Sequence, residues 1–145
     1  MSCPYFYPVA PQSATSAQQS ATLPLGDLWD GVCRVIPGEG CTPDPDSARP
    51  LCQMGYARGA CSRFRADDPG PDAVRFSLLE DNGRSLRLFF VLERDHHPFA
   101  HGPLEYTIGS SSFVQPPVNP ILLRQAEAFV ASFLNWKSRS ASANA

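Results

Sequence analysis

The sequence predicts an α+β fold: a three-stranded antiparallel sheet with a C-terminal amphipathic helix, preceded by a loop-rich cysteine module. Three observations lead there. Apolar and polar residues alternate over 74–78 and again toward 92, around Asn82-Gly83, the pattern of a hairpin. Leu122, Ala126, Phe129, Phe133 and Trp136 recur at spacings of 4, 3, 4 and 3, which lays an apolar stripe along a helix. All five cysteines, and 17 of the 25 Gly and Pro residues, lie in residues 1–71. The first half therefore reads as loops and turns built around something.

Each element has its own justification. Residues 9–22 are small and polar, as in a flexible linker or long exposed loop. Leu25, Leu28, Trp29 and Val32 are spaced for about two helical turns, with Asp27 near the start. Residues 37–50 carry four prolines and two glycines and are expected to form no regular element. Val74, Phe76 and Leu78 make the first strand. Leu86, Leu88, Phe90 and Leu92 make the second, which is bulky on both faces and so central. The pattern alone leaves two hairpin registers open, because a slip of one residue exchanges the faces. Leu104, Tyr106 and Ile108 supply a short third strand. Asn119-Pro120 is suited to cap and begin the helix, and residues 138–145 are expected to be a disordered tail. The organisation is thus a cysteine module (1–71), a sheet plus helix (72–137) and the tail, in a single compact domain.

Composition narrows the function. Gly and Pro together make about 17 % of the chain, against a usual ~12 %. The net charge is −2, with eleven Arg and one Lys, which argues against a dedicated nucleic-acid binder. There is no apolar run of about 18 residues to span a membrane. The opening MSCPYFYP lacks the basic and apolar regions of a secretory signal, so a cytoplasmic setting is expected. No phosphate-binding glycine motif and no G-x-S-x-G is present, and Ser110–Ser112 form a polar loop. No catalytic residue is assigned.

The cysteines are Cys3, Cys33, Cys41, Cys52 and Cys61, with no C-x-x-C among them. Disulfides need an oxidising compartment and would leave one thiol over. Unliganded thiols behave as small hydrophobes and need a core to hide in, which these loops offer poorly. A shared metal or iron–sulfur site is the preferred explanation. Four thiolates around a metal leave net negative charge, which cations stabilise and carboxylates do not. Arg49, Arg58, Arg63 and Arg65 lie between Ser47 and Ala66, a stretch with no acid, and Arg34 adjoins Cys33. Cys41 sits among Glu39, Asp44 and Asp46 and is set aside. The expected ligands are Cys3, Cys33, Cys52 and Cys61.

In the segment from Cys52 to Cys61, Gly55 and Gly59 allow positive φ and close backbone approach, making N–H concavities that suit anionic sulfur. Arg58 is expected to neutralise charge or donate to a thiolate, and Met54, Tyr56 and Phe64 to exclude water. Single ligands from four loops, with glycine, aromatic cover and arginine, favour a [4Fe–4S] cluster over zinc. Cys3-Pro4-Tyr5-Phe6 together with Cys52-x2-Gly55-Tyr56-Ala57-Arg58-Gly59-x-Cys61-x2-Phe64 resembles a group of short bacterial cysteine-cluster proteins. The resemblance extends through the region from Glu93 to Tyr106. It implies a bacterial, cytoplasmic setting and no particular activity.

His96, His97 and His101 follow the second strand, beside Asp95. Pro98 and Pro103 rule out a helical His-x3-His pair there. The simplest expectation is a loop whose imidazoles bond backbone, Glu93 or Asp95. A fourth ligand in place of Cys3, or a metal-dependent enzyme site, is the alternative. The sequence therefore points to a small iron–sulfur protein with an electron-transfer, redox-sensing or structural role and an unknown protein partner. A zinc-stabilised interaction module is the second choice.

Overall fold

A computed structural model describes residues 1–11, 23–35, 40–43, 48–54 and 56–143, and these described residues fold as two antiparallel sheets and one long helix. Strand β1 (Phe6–Pro11) pairs antiparallel with β2 (Trp29–Cys33), Phe6 opposite Cys33 and Pro11 opposite Trp29. The segment 25–32 is therefore not helical as its spacing predicted. Residues 23–26 make a turn closed by the Gly26 N–H on the Leu23 carbonyl at 2.9 Å. Gly31 explains the strand that follows. A Cβ there would collide with the Tyr7 carbonyl and stand 2.8 Å from the Phe6 ring, so β1 and β2 approach more closely than a side chain allows. Of the expected 9–22 linker, Val9–Pro11 belong to β1 and the remainder lies outside the described residues. A single π-helical turn (Ala48–Gln53) leads into the second cysteine segment.

The second sheet has four strands in sequential order, not three: β3 (Ala73–Asp81), β4 (Ser85–Arg94), β5 (His97–Thr107) and β6 (Ser112–Phe113). The structure chooses the register with even-numbered faces together: Val74 opposite Leu92, Phe76 opposite Phe90, Leu78 opposite Leu88. An extra residue, Leu79, bulges out before the turn. Asn82 Oδ1 accepts the Arg84 and Ser85 N–H groups, and Gly83 supplies φ +83°.

The histidine region is strand rather than loop. Asp95 and His96 both have positive φ, 51° and 61°, and form a two-residue turn into β5. Pro98 and Pro103 are tolerated because β5 is an edge along most of its length; β6 pairs only with Tyr106 and Thr107.

Helix α1 (Pro120–Ala143) starts as expected. Asn119 Oδ1 accepts the Ile121 and Leu122 N–H groups at 2.9 and 3.2 Å. The helix continues through most of the expected tail, since extending a nucleated helix costs little and Ala and Arg favour it. Trp136, the last residue of the stripe, is exposed.

One core joins the halves. Leu86 and Leu88 from β4 are fully buried, and Phe76 packs on Phe129 of α1 with centroids 5.7 Å apart. The same cluster contains Cys3, Phe6, Leu25, Trp29 and Phe64 from the cysteine module. Ser2 extends the sheet at β3, exchanging two 2.8 Å backbone bonds with Val74. Among the described residues no helix is long and apolar enough to cross a membrane.

Candidate metal centre

Backbone bonds fix each cysteine segment before any ligand is considered. The Cys3 N–H donates to the Cys52 carbonyl at 2.9 Å, and the Cys3 carbonyl accepts from Phe6 N–H at 3.1 Å and from Gln125 Nε2 at 2.7 Å. Cys33 ends β2, and the next residue, Arg34, donates its N–H to the Tyr5 carbonyl at 2.9 Å. Beside Cys52, the buried Gln53 side chain clasps Trp29. Its Oε1 accepts the Trp29 N–H at 2.7 Å and its Nε2 donates to the Trp29 carbonyl at 2.9 Å. The Trp29 indole N–H reaches Ser132 of α1 at 3.1 Å. Cys61 closes a turn on Ala57 at 2.6 Å, and Gly59 within it has φ +86°. Gly59 thus serves the turn by conformation, as expected; Gly55 lies outside the described residues.

These bonds bring Cys3, Cys33, Cys52 and Cys61 into one electrostatic neighbourhood. All five thiols are free. Burial pushes the Cys3 thiol up to about 12, the Tyr5 N–H at 3.5 Å from its Sγ partly offsets this, and charge on Cys52, Cys33 and Cys61 raises it further. Burial likewise raises Cys52 to about 11, with Cys33 and Cys61 adding and Arg63 opposing. Without a metal these two sulfurs hold their protons at neutral pH, so a bound cation must displace them. Among the described residues no group of three or more Cys, His, Asp or Glu is drawn close enough to hold a single metal ion as it stands.

Cys41 stands differently. It pairs backbone to backbone with Cys33, N–H to carbonyl at 2.6 and 3.0 Å, and its Sγ accepts a hydrogen bond from the exposed Arg63 guanidinium. Among the described residues Arg63 is thus the arginine that bonds a cysteine sulfur. Arg58 turns the other way. It pairs with Asp72, donates to the carbonyls of Arg65, Ala66, Asp68 and Gly70, and lies over the Phe64 ring at 4.8 Å. It braces the 65–72 loop and spends its donors there rather than on a thiolate.

Aromatic cover comes from Phe64, buried and edge-on to Tyr5 at 5.5 Å. The Tyr5 hydroxyl donates to Asp68. Met54 is exposed, and Tyr56 donates to Glu93 and meets the His96 ring at a tilt of 57°, centroids 4.4 Å apart. The histidines do not converge. His97 Nδ1 lies 2.8 Å from the Asp95 carbonyl. Across the bulge at Phe99, His97 stands opposite Arg94 and His101 opposite Val91, hence on opposite faces of the sheet. Sequence reasoning missed Gln125 and Gln53, both buried. The signal for Gln125 was a polar residue at i+3 from Leu122, inside the apolar stripe.

No family model, curated protein or solved structure matches this chain.

Proposed function

We propose that this chain is a small iron–sulfur protein whose Cys3, Cys33, Cys52 and Cys61 hold a [4Fe–4S] cluster used in redox exchange. The observation that carries this is the convergence of those cysteines from four separated segments: Cys3 bonds the Cys52 carbonyl, Cys52 and Cys61 pack against the core that holds Cys3, and charge on Cys33, Cys52 and Cys61 reaches the Cys3 thiol. Two short knuckles, the usual frame for a structural zinc ion, are missing from the cysteine spacing. A four-iron cube spaces its sulfurs more widely than one zinc ion does, and scattered single ligands suit that spacing.

Bound there, the cluster would supply one-electron chemistry. The chain's own residues set its surroundings. Phe64 and Tyr5 keep water from one side, the Tyr5 N–H aims at the Cys3 sulfur, and Arg63 places positive charge at the rim; such features set cluster potentials. Cys33, Cys52 and Cys61 are only half-buried, so the centre faces the surface, where a redox partner protein would exchange electrons.

The test is anaerobic purification of the full chain from iron-replete cells. A brown protein is expected, with iron and sulfide matching one cube per chain. Cys3→Ser and Cys52→Ser should lose the colour and Cys41→Ser should keep it. A colourless protein with stoichiometric zinc would overturn the proposal in favour of a zinc-stabilised interaction module.

A further inference from the structure

Cys41 has no place among the four ligands, yet its setting is specific. Cys33 and Cys41 lie directly opposite each other and exchange both backbone bonds, 2.6 and 3.0 Å. Residues so paired have Cα atoms ~5.5 Å apart and side chains on the same face. That separation falls within the range that a disulfide spans. Both thiols are half-buried and free, and the exposed Arg63 guanidinium donates to the Cys41 sulfur. Cys3, by contrast, is buried in the core, away from an oxidant in solution.

We propose that Cys33 and Cys41 form a reversible peroxide-sensitive disulfide, which on the iron–sulfur assignment above withdraws Cys33 from the centre. The chemistry balances with one hydrogen peroxide per disulfide. The Cys41 sulfur attacks a peroxide oxygen; an S–O bond forms, the O–O bond breaks, and the leaving hydroxide departs as water. The Cys33 sulfur then attacks the Cys41 sulfenic acid; the S–S bond forms, the S–O bond breaks, and a second water leaves. Two electrons pass from the sulfurs to peroxide, and the two thiol protons end in the waters. Arg63 holds the Cys41 sulfur at the rim, where peroxide arrives. Opposed residues that exchange both backbone bonds sit farther apart at Cβ than a relaxed disulfide prefers. The bond is therefore readily reduced, as strained and exposed disulfides are, and that makes it a switch rather than a staple.

The experiment starts with the full chain, reduced and metal-free, treated with an equimolar dose of peroxide. Free thiols should fall from five to three, peptide mapping without reductant should join Cys33 to Cys41, and dithiothreitol should restore all five. Cys41→Ser should keep its four thiols, and Arg63→Met should slow the crosslink several-fold. No crosslink, or a link joining Cys33 to Cys52 or Cys61 instead, would overturn the disulfide. The iron-loaded chain is then given the same dose. Wild type should release iron faster than Cys41→Ser, and equal rates would separate the disulfide from the centre. Because the first arm needs no iron, a protein that never binds iron but forms the link sinks only the cluster assignment. One that holds iron and forms no link sinks only the disulfide.

Discussion

Replacing Gln125 by Leu should loosen the Cys3 segment while leaving the sheet intact. Gln125 is fully buried on α1. Its Nε2 donates to the Cys3 and Phe6 carbonyls at 2.7 and 2.8 Å, and its Oε1 accepts the Ser2 hydroxyl at 2.7 Å. Leu has a similar volume, so the cavity cost is small and the loss is that of three polar partners. Each buried group left unpaired costs ~1–3 kcal/mol. Two of the three keep some compensation. The Cys3 carbonyl retains the Phe6 N–H at 3.1 Å, and the Ser2 hydroxyl stays 3.4 Å from the Val74 carbonyl. The net loss should therefore be about 2–4 kcal/mol, a large share of a typical ~5–15 kcal/mol. Urea unfolding followed by Trp29 fluorescence should show the midpoint fall by about 1–2 M at a slope of ~2 kcal/mol per molar. Alkylation of Cys3 should accelerate in step. Gln125→Glu supplies a second arm. A carboxylate facing two carbonyls is repelled, so that variant should regain stability relative to wild type as the pH falls and the carboxyl protonates. If Gln125→Leu unfolds at the wild-type midpoint with Cys3 equally protected, α1 is not what holds Cys3.

Four further outcomes are expected. The metal-free chain should lose stability as pH rises above 9. Cys3 and Cys52 keep their protons to about 12 and about 11 when folded but give them up near 9.0 when unfolded, so the advantage is complete below 9 and gone above 12; a flat urea midpoint across that range would refute this. Gly31→Ala should cost ~1–3 kcal/mol by forcing β1 from β2 and lower metal occupancy, read by denaturation and elemental analysis. Burial pulls Asp72 upward, but the Asp95 N–H and Arg58 outweigh it and hold its carboxyl below 3.8. Its contribution is thus present above 3.8 and lost as pH falls through the lower folded value, and Asp72→Asn should flatten that acid limb in pH-dependent unfolding. Chelating the metal should speed amide exchange across residues 56–64 while leaving β4 protected, measured by hydrogen–deuterium exchange; uniform loosening would count against a centre confined to the module.

The legible parts were those where a local pattern and the tertiary fold agree. Asn82-Gly83 marked its hairpin because Gly83 accepts φ +83° at no steric cost, and Asn119-Pro120 marked the helix start because both residues serve backbone groups there. The errors arose where distant contacts decide. Leu25, Leu28, Trp29 and Val32 have helical spacing, but Gly31 meets β1 from more than twenty residues away in sequence, and no local period reports that. The histidine stretch with Pro98 and Pro103 reads locally as a loop, yet Asp95 and His96 adopt positive φ and turn the chain directly into β5, where both prolines sit on an edge. Sequence position singles out Arg58 for the thiolates because it lies between Gly55 and Gly59, although as a charge it is no different from Arg63. Only the fold shows that one meets Asp72 and the other meets Cys41.

The candidate ligands are not equally prepared for a metal, and the order follows from what holds each one. Cys3 is fixed from both sides, by the Cys52 carbonyl and by Gln125, and it lies within the shared core. Cys33 ends a paired strand. Cys52 takes the Cys3 N–H on its own carbonyl and is steadied further through Gln53 on Trp29 and Trp29 on Ser132. Cys61 rests on a single turn, closed on Ala57 and capped by Phe64. The ordering entropy of the first three is thus met by the folding of sheet and helix, and only that of the last would fall to a metal, on the proposed assignment. A loop-rich module with little core of its own can then present four cysteines without folding separately. It borrows α1, whose buried polar residues Gln125 and Ser132 bond Ser2, Cys3, Phe6 and Trp29 of the module.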